Sequence, residues 1–176
     1  MSISSLIIPR VASACAFIAL TASGSFADDA AVSSSDKSFL QSAYKDGLAE
    51  IHMAGLGVKK TANAEIKAFA TKLEADHGQA NGELKTLAES KKVSVANAPG
   101  IVDTGKEKML DAKTGSNFDK DFIDGMVNDH KKAIAAFEKA ANEAKDADVK
   151  AFAAKTLPTL KSHLAMAEDL QKKVSK

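Results

Sequence analysis

Four histidines are distributed along the chain, His52, His77, His130 and His163. Imidazole is the side chain that most readily ligates a transition metal near neutral pH. Carboxylates stand close to three of them: Glu50 beside His52, Glu74 and Asp76 beside His77, and Asp129 beside His130. Glu74-Ala75-Asp76-His77 carries the Glu-x-x-His spacing, which on a helix aims two ligands at one ion. Imidazole mixed with carboxylate suits iron, manganese, zinc or copper rather than calcium. Met126 and Met166 are thioether neighbours that would favour copper. The same residue types also admit a plainer role. Asp76-His77 and Asp129-His130 can satisfy each other as polar pairs at the edge of a core, and the methionines can be packing.

These residues need long helices to hold them. Ala, Lys, Leu and Glu are abundant while Gly, Pro and β-branched residues are scarce, a composition that favours helix. Apolar periodicity predicts four long helices. The first runs from about Ser38 to Lys60, with Leu40, Tyr44, Gly47, Leu48, Ile51, Gly55 and Val58 on its inner face. The second follows Asn63, an N-cap, and ends near Lys91. A less regular stretch, Lys92 to Gly115, contains Pro99-Gly100 and a short helix predicted over Asp103–Ala112. Gly115 then closes that helix, and Ser116 to Asp119 reads as the capping box of the third. Asp146 caps the fourth, in which Pro158 predicts a kink that frees the carbonyl of Ala154.

The two halves resemble each other. Residues 64–70 (AEIKAFA) match residues 147–153 (ADVKAFA) almost type for type. Asp46-Gly47-Leu48 with His52 aligns with Asp124-Gly125-Met126 with His130. Two such hairpins stacked together make an antiparallel four-helix bundle.

At about 100° per residue, His77, His130 and His163 each fall within roughly 45° of the centre of their helix's apolar stripe. His52 and Glu50 fall about 100° to either side of the first helix's stripe, at its borders. Counted from the turns near Ala62 and Lys145, the histidines lie roughly 10, 15, 15 and 18 residues away, a slab on the order of 12 Å at 1.5 Å per residue. The slab survives whether or not the middle connection crosses the bundle, because the second hairpin's histidines are near mid-helix.

The first 27 residues are expected to be a secretory signal. Arg10 is their only charge, Val11 to Ala22 is an apolar run, and Ser25-Phe26-Ala27 supplies small residues for cleavage after Ala27. Such a chain would be periplasmic, with residues 28–37 as a flexible tail and the bundle over 38–176. Cys15 would leave with the signal, so packing rather than a disulfide must stabilise the remainder. Losing Arg10 turns 24 basic residues into 23, against 23 acidic ones. That balance, one Tyr and no Trp give no reason to expect nucleic acid or an anionic membrane as partner. Neither a phosphate loop, nor a nucleophile elbow, nor a thiol outside the signal is present, so no catalytic residue is assigned.

The segments LAEIHMAGL, NAEIKAFATKLEADHGQANGELKTLA, FDKDFIDGMVNDHKKAIAAFE and DVKAFAAKTLPTLKSHLAMAEDL resemble the family catalogued as domain of unknown function 4142, over about Ser38 to Lys172. The resemblance implies an exported bacterial protein with a ferritin-like helical bundle and no assigned activity. The pattern departs from true di-iron ferritin-like proteins. A second Glu-x-x-His should precede His163, where Leu160 stands, and helix three offers Asp129-His130 in place of a bridging Glu. A mononuclear or irregular site is easier to build.

Three readings follow for an all-α, ferritin-like bundle. The first is a transition-metal site on His77, His130 and His163, assisted by Asp76, Asp129, Glu50 or His52. The second is a structural or stress-related envelope protein whose histidines are polar core residues. The third is a module that packs a helical face on an envelope protein or on a second copy of itself.

Overall fold

Residues 32–175 are described by the computed structural model, Val102 in its backbone only. The expected signal and its cleavage point lie outside the described residues, as do residues 28–31 of the expected tail. Five helices and no strand are found among the described residues: α1 (Ser34–Lys60), α2 (Ala64–Ser90), α3 (Ile101–Asp111), α4 (Gly115–Glu143) and α5 (Ala147–Val174). None of them is long and apolar enough to cross a membrane.

Side-chain caps start three of the long helices. Ser33 accepts from the Asp36 N–H, Asn63 from the Glu65 and Ile66 N–H groups, and Asp146 from those of Asp148 and Val149. Each satisfies donors that a helix N-terminus leaves unpaired. α2 ends in a left-handed turn at Lys92 (φ 57°), with the Val93 N–H bonded to the Ala88 carbonyl and the Lys92 N–H to that of Glu89.

Two starts differ from expectation. α1 begins at Ser34, inside the predicted tail, because Asp36 has a structural task. Its side chain, only 2 % exposed, accepts the N–H groups of Lys145 and Asp146 at the α4–α5 turn. The predicted capping box at Ser116 does not form. Thr114 holds the N-cap position of α4 without a side-chain bond, Gly115 takes φ 58°, and Asp119 Oδ1 is buried without a hydrogen-bond partner among the described residues. Pro158 lies within α5, which continues through it to Val174.

Two apolar clusters fix the topology. One joins Leu40 near the start of α1, Leu84 and Ala88 near the end of α2, and Val149 at the start of α5. The other joins Ile66 at the start of α2, Phe118 and Phe122 at the start of α4, and Leu170 at the end of α5. Val93, just after α2, belongs to the first cluster, whereas Leu110 near the end of α3 belongs to the second. The segment between α2 and α4 therefore runs the length of the bundle. Helix directions are up, down, down, up for α1, α2, α4 and α5, so every neighbouring pair is antiparallel. Ion pairs mark both ends of the α2–α5 seam: Lys91 with Asp146 and Asp148, and Lys173 with Glu65. Between the clusters lies a polar layer.

α1 keeps Leu40 and Tyr44 of the predicted face but is rotated from it along the rest of its length. Its buried residues are Asp36, Leu40, Tyr44, Ala54 and Gly57, while Ile51, Gly55 and Val58 are only partly buried. Gly47 and Gly57 explain the rotation. A Cβ at Gly57 would stand 2.7 Å from Phe122 Cζ and 2.8 Å from Ala70 Cβ. At Gly47 it would stand 2.1 Å from Asn81 Oδ1, and Asn81 donates from Nδ2 to the Tyr44 carbonyl at 3.1 Å. Glycine lets the α1 backbone approach its neighbours on this side.

Candidate metal centre

The polar layer is built by one residue from each of three helices. His77 of α2 is 9 % exposed, and His130 of α4 and His163 of α5 are 1 % exposed. His77 Nε2 lies 3.4 Å from His130 Nε2, which lies 3.3 Å from His163 Nδ1. One ring nitrogen from each of the three histidines falls within 4.8 Å of the other two. Nitrogens bound tetrahedrally to one zinc at about 2.0–2.1 Å stand about 3.3 Å apart, so two of these separations are those of a shared ion. The rings pack at centroid distances of 5.3–5.4 Å.

The outward nitrogens determine what the inward ones carry. His130 Nδ1 lies 2.9 Å from the Met126 carbonyl, which only accepts, so this nitrogen bears the hydrogen. His163 Nε2 lies 2.7 Å from Asp76 Oδ2, an ionised acceptor, and donates to it. The neutral rings therefore present bare lone pairs at His130 Nε2 and His163 Nδ1, facing each other at 3.3 Å. His77 Nε2 can donate one hydrogen to His130, which leaves His163 Nδ1 facing a lone pair without a donor.

Burial keeps the layer uncharged. It depresses His77 to a pKa of about 3, with His130 and His163 adding to the shift. His130 falls to about 4, again mainly by burial and then by His163. Burial also lowers His163, against the pull of Asp76. Asp76 is itself raised by burial, but hydrogen bonds from Lys72 and His163 outweigh this and hold its carboxyl below the usual range. A proton is thus a poor occupant of the space between the rings near neutral pH.

The other expected residues are placed as follows. Asp76 is a partner of His163 rather than a member of the nitrogen cluster. Asp129 turns aside to Lys106 and Lys132, each at 3.2 Å. His52 is 47 % exposed and pairs with Glu107 of α3 at 3.4 Å. It lies about 150° around α1 from the mean of the buried positions, which the rotation of that helix explains. Glu74 is exposed, so the Glu-x-x-His spacing does not deliver two ligands. Met126 offers His130 its carbonyl, and its side chain belongs to the apolar core. Glu50 lies outside the cluster and lines an adjoining cavity together with His77 and His130. Burial, then Asp129, raise its carboxyl to about 8, with Lys106 opposing. Asn81 was missed by sequence reasoning; an amide within an apolar stripe was the available signal.

A family model described as "Domain of unknown function (DUF4142)" matches residues 21–170. No curated protein matches the chain. Among solved structures, the fold is similar to that of a DUF305 fragment from Deinococcus radiodurans, with a TM-score of 0.72 and 10 % sequence identity. The similarity covers 81 % of this chain and 98 % of that one. At that identity the likeness concerns the helical fold alone.

Proposed function

The chain belongs to the family of domain of unknown function 4142, and we propose that it binds one transition-metal cation, of the zinc or copper type, through His77 Nε2, His130 Nε2 and His163 Nδ1. The observation that carries this reading is the pair of lone pairs facing each other at 3.3 Å, each fixed inward by a hydrogen bond on the far side of its ring. A cation between them turns repulsion into coordination. Asp76 and the Met126 carbonyl would then be the outer groups that set tautomer and ring orientation. Three neutral imidazoles with no carboxylate among them favour zinc or copper over manganese or magnesium. Since His77 and His130 also line the cavity, a fourth position would open toward it.

The residues before Ala27 support a second element of the proposal, export to the periplasm, where such a protein would hold or buffer metal. One preparation tests both. The protein is expressed in a bacterium from its full sequence, recovered from the periplasm without chelator, and examined by intact mass and elemental analysis. Loss of residues 1–27 and about one zinc or copper per chain are expected. A His77→Ala, His130→Ala variant should carry none. A parent protein that takes up neither ion on reconstitution, while the variant merely loses stability, would make the histidines polar core residues instead.

A further inference from the structure

The space beside the imidazoles widens into a cavity of about 1240 Å³, above the roughly 300–1,000 Å³ of typical small-molecule sites. Its wall is divided. Phe39, Leu84, Phe137, Phe152 and Leu160 supply an apolar section. Three of these, Phe39, Phe137 and Phe152, form a chain of ring contacts at centroid distances of 5.0 and 6.1 Å. Glu50 stands in the section shared with His77 and His130.

Glu50 has no visible task in the fold. Its Oε2 is buried and has no hydrogen-bond partner among the described residues. A carboxyl oxygen removed from water without a partner is unfavourable, which is the condition of a group that a ligand completes. The charges acting on it come from three helices: Asp46 of α1, Asp103 and Lys106 of α3, and Asp129 of α4. His77 and His130, from α2 and α4, are neutral. Asp129 is paired with Lys106 and Lys132, and Asp46 with Lys45, yet among the charges acting most strongly on Glu50 the acids outweigh Lys106 and leave the field there negative. That field disfavours an anionic head group and favours a cationic one.

We propose that this cavity binds an organic amine, its apolar body against Phe39, Leu84, Phe137 and Phe152 and its ammonium group on the Glu50 carboxylate. Binding would discharge the Glu50 proton to solvent, since a cation at contact distance favours the ionised acid. The site adjoins the three-imidazole cluster through His77 and His130 but needs no metal in it. The two readings therefore stand or fall separately.

The chain contains no Trp and one Tyr, so naphthalene emission can be followed with little protein background. The probes are 1-naphthylmethylamine, 1-naphthalenemethanol and 1-naphthoic acid, titrated near pH 7 with chelator present. The amine should saturate with a Kd about tenfold below that of the alcohol, the scale of a charge-assisted contact. The acid should bind most weakly. Glu50→Gln should raise the amine's Kd by about tenfold and leave the alcohol's unchanged. Proton release on amine binding, read with an indicator dye, should disappear in the same variant. Circular dichroism verifies that the variant is folded. Equal affinity for amine and alcohol, an amine Kd indifferent to Glu50→Gln, or no saturable binding would each overturn the proposal.

Discussion

His52 and His130 occupy matching positions in two similar hairpins, four residues after Leu48 and Met126 respectively, yet their environments are opposite. His130 is 1 % exposed and forms the centre of the imidazole cluster. His52 is 47 % exposed, with its Nδ1 3.4 Å from Glu107. The matching glycines diverge in the same way. Gly47 presses against Asn81, whereas nothing lies within 4 Å of a Cβ placed on Gly125. One helical pattern was therefore packed twice with different rotations. In α4 the line Phe122, Met126, His130 faces inward. In α1 Tyr44, the counterpart of Phe122, is still buried, but from there contact runs to Gly47, Ala54 and Gly57, which brings Glu50 to the cavity and turns His52 out. A bundle of two similar hairpins thus acquires a three-histidine cluster drawn unequally from them, one imidazole from the first and two from the second.

The comparison can be broken first at the metal. Asp76→Asn removes the anionic partner of His163 and should lower zinc or copper affinity by about 10–100-fold, measured by competition with a chromophoric chelator. His52→Ala should leave affinity unchanged. A loss with His52→Ala equal to that with Asp76→Asn would mean that the two halves contribute alike.

The rotation of α1 is open to a smaller test. Gly57→Ala places a methyl against Phe122 and Ala70 and should destabilise by about 1–3 kcal/mol. Gly125→Ala meets open space within a helix and should stabilise by roughly 0.5–1 kcal/mol. Urea unfolding of both variants reads the difference, and equal effects would remove the packing explanation for the asymmetry.

A separate effect concerns pH, where the two sides of the polar layer act with opposite sign. His77 and His130 fall from an ordinary 6.5 to about 3 and about 4 when folded. The unfolded chain therefore binds protons that the folded one refuses. The stability of the metal-free protein should decline as pH falls below about 6.5. Glu50 rises from 4.5 to about 8 when folded. It holds a proton that the unfolded chain releases, so its contribution is full below 4.5 and is lost as pH rises toward 8. The urea midpoint should pass through a maximum between these limits. Glu50→Gln should flatten the upper limb and His77→Ala, His130→Ala the lower one. An upper limb that persists in Glu50→Gln would assign it to another group.

Much of the bundle was legible in the chain. Asn63 and Asp146 announce α2 and α5, because a short polar side chain before an apolar-periodic run is where unpaired helix N–H groups find an acceptor. The placing of His77, His130 and His163 at one height was equally legible, since a fixed rise per residue converts spacing into distance. Asp36 was hidden. Its partners are more than a hundred residues away, and nothing local distinguishes a capping acid from a solvated one.

Sequence by itself determined which residues share a helix face and a level. Tertiary structure alone decided how far each helix turns from the face its apolar stripe announces, because periodicity fixes the angles between side chains on one helix but not the rotation of that helix against its neighbours. For α1 that rotation rests on Gly47 meeting Asn81 and Gly57 meeting Phe122, contacts between segments far apart in the chain. The same contacts took His52 out of the cluster and brought Glu50 to the cavity, while the packing of α2 on α5 gave Asp76, rather than Glu74, to His163.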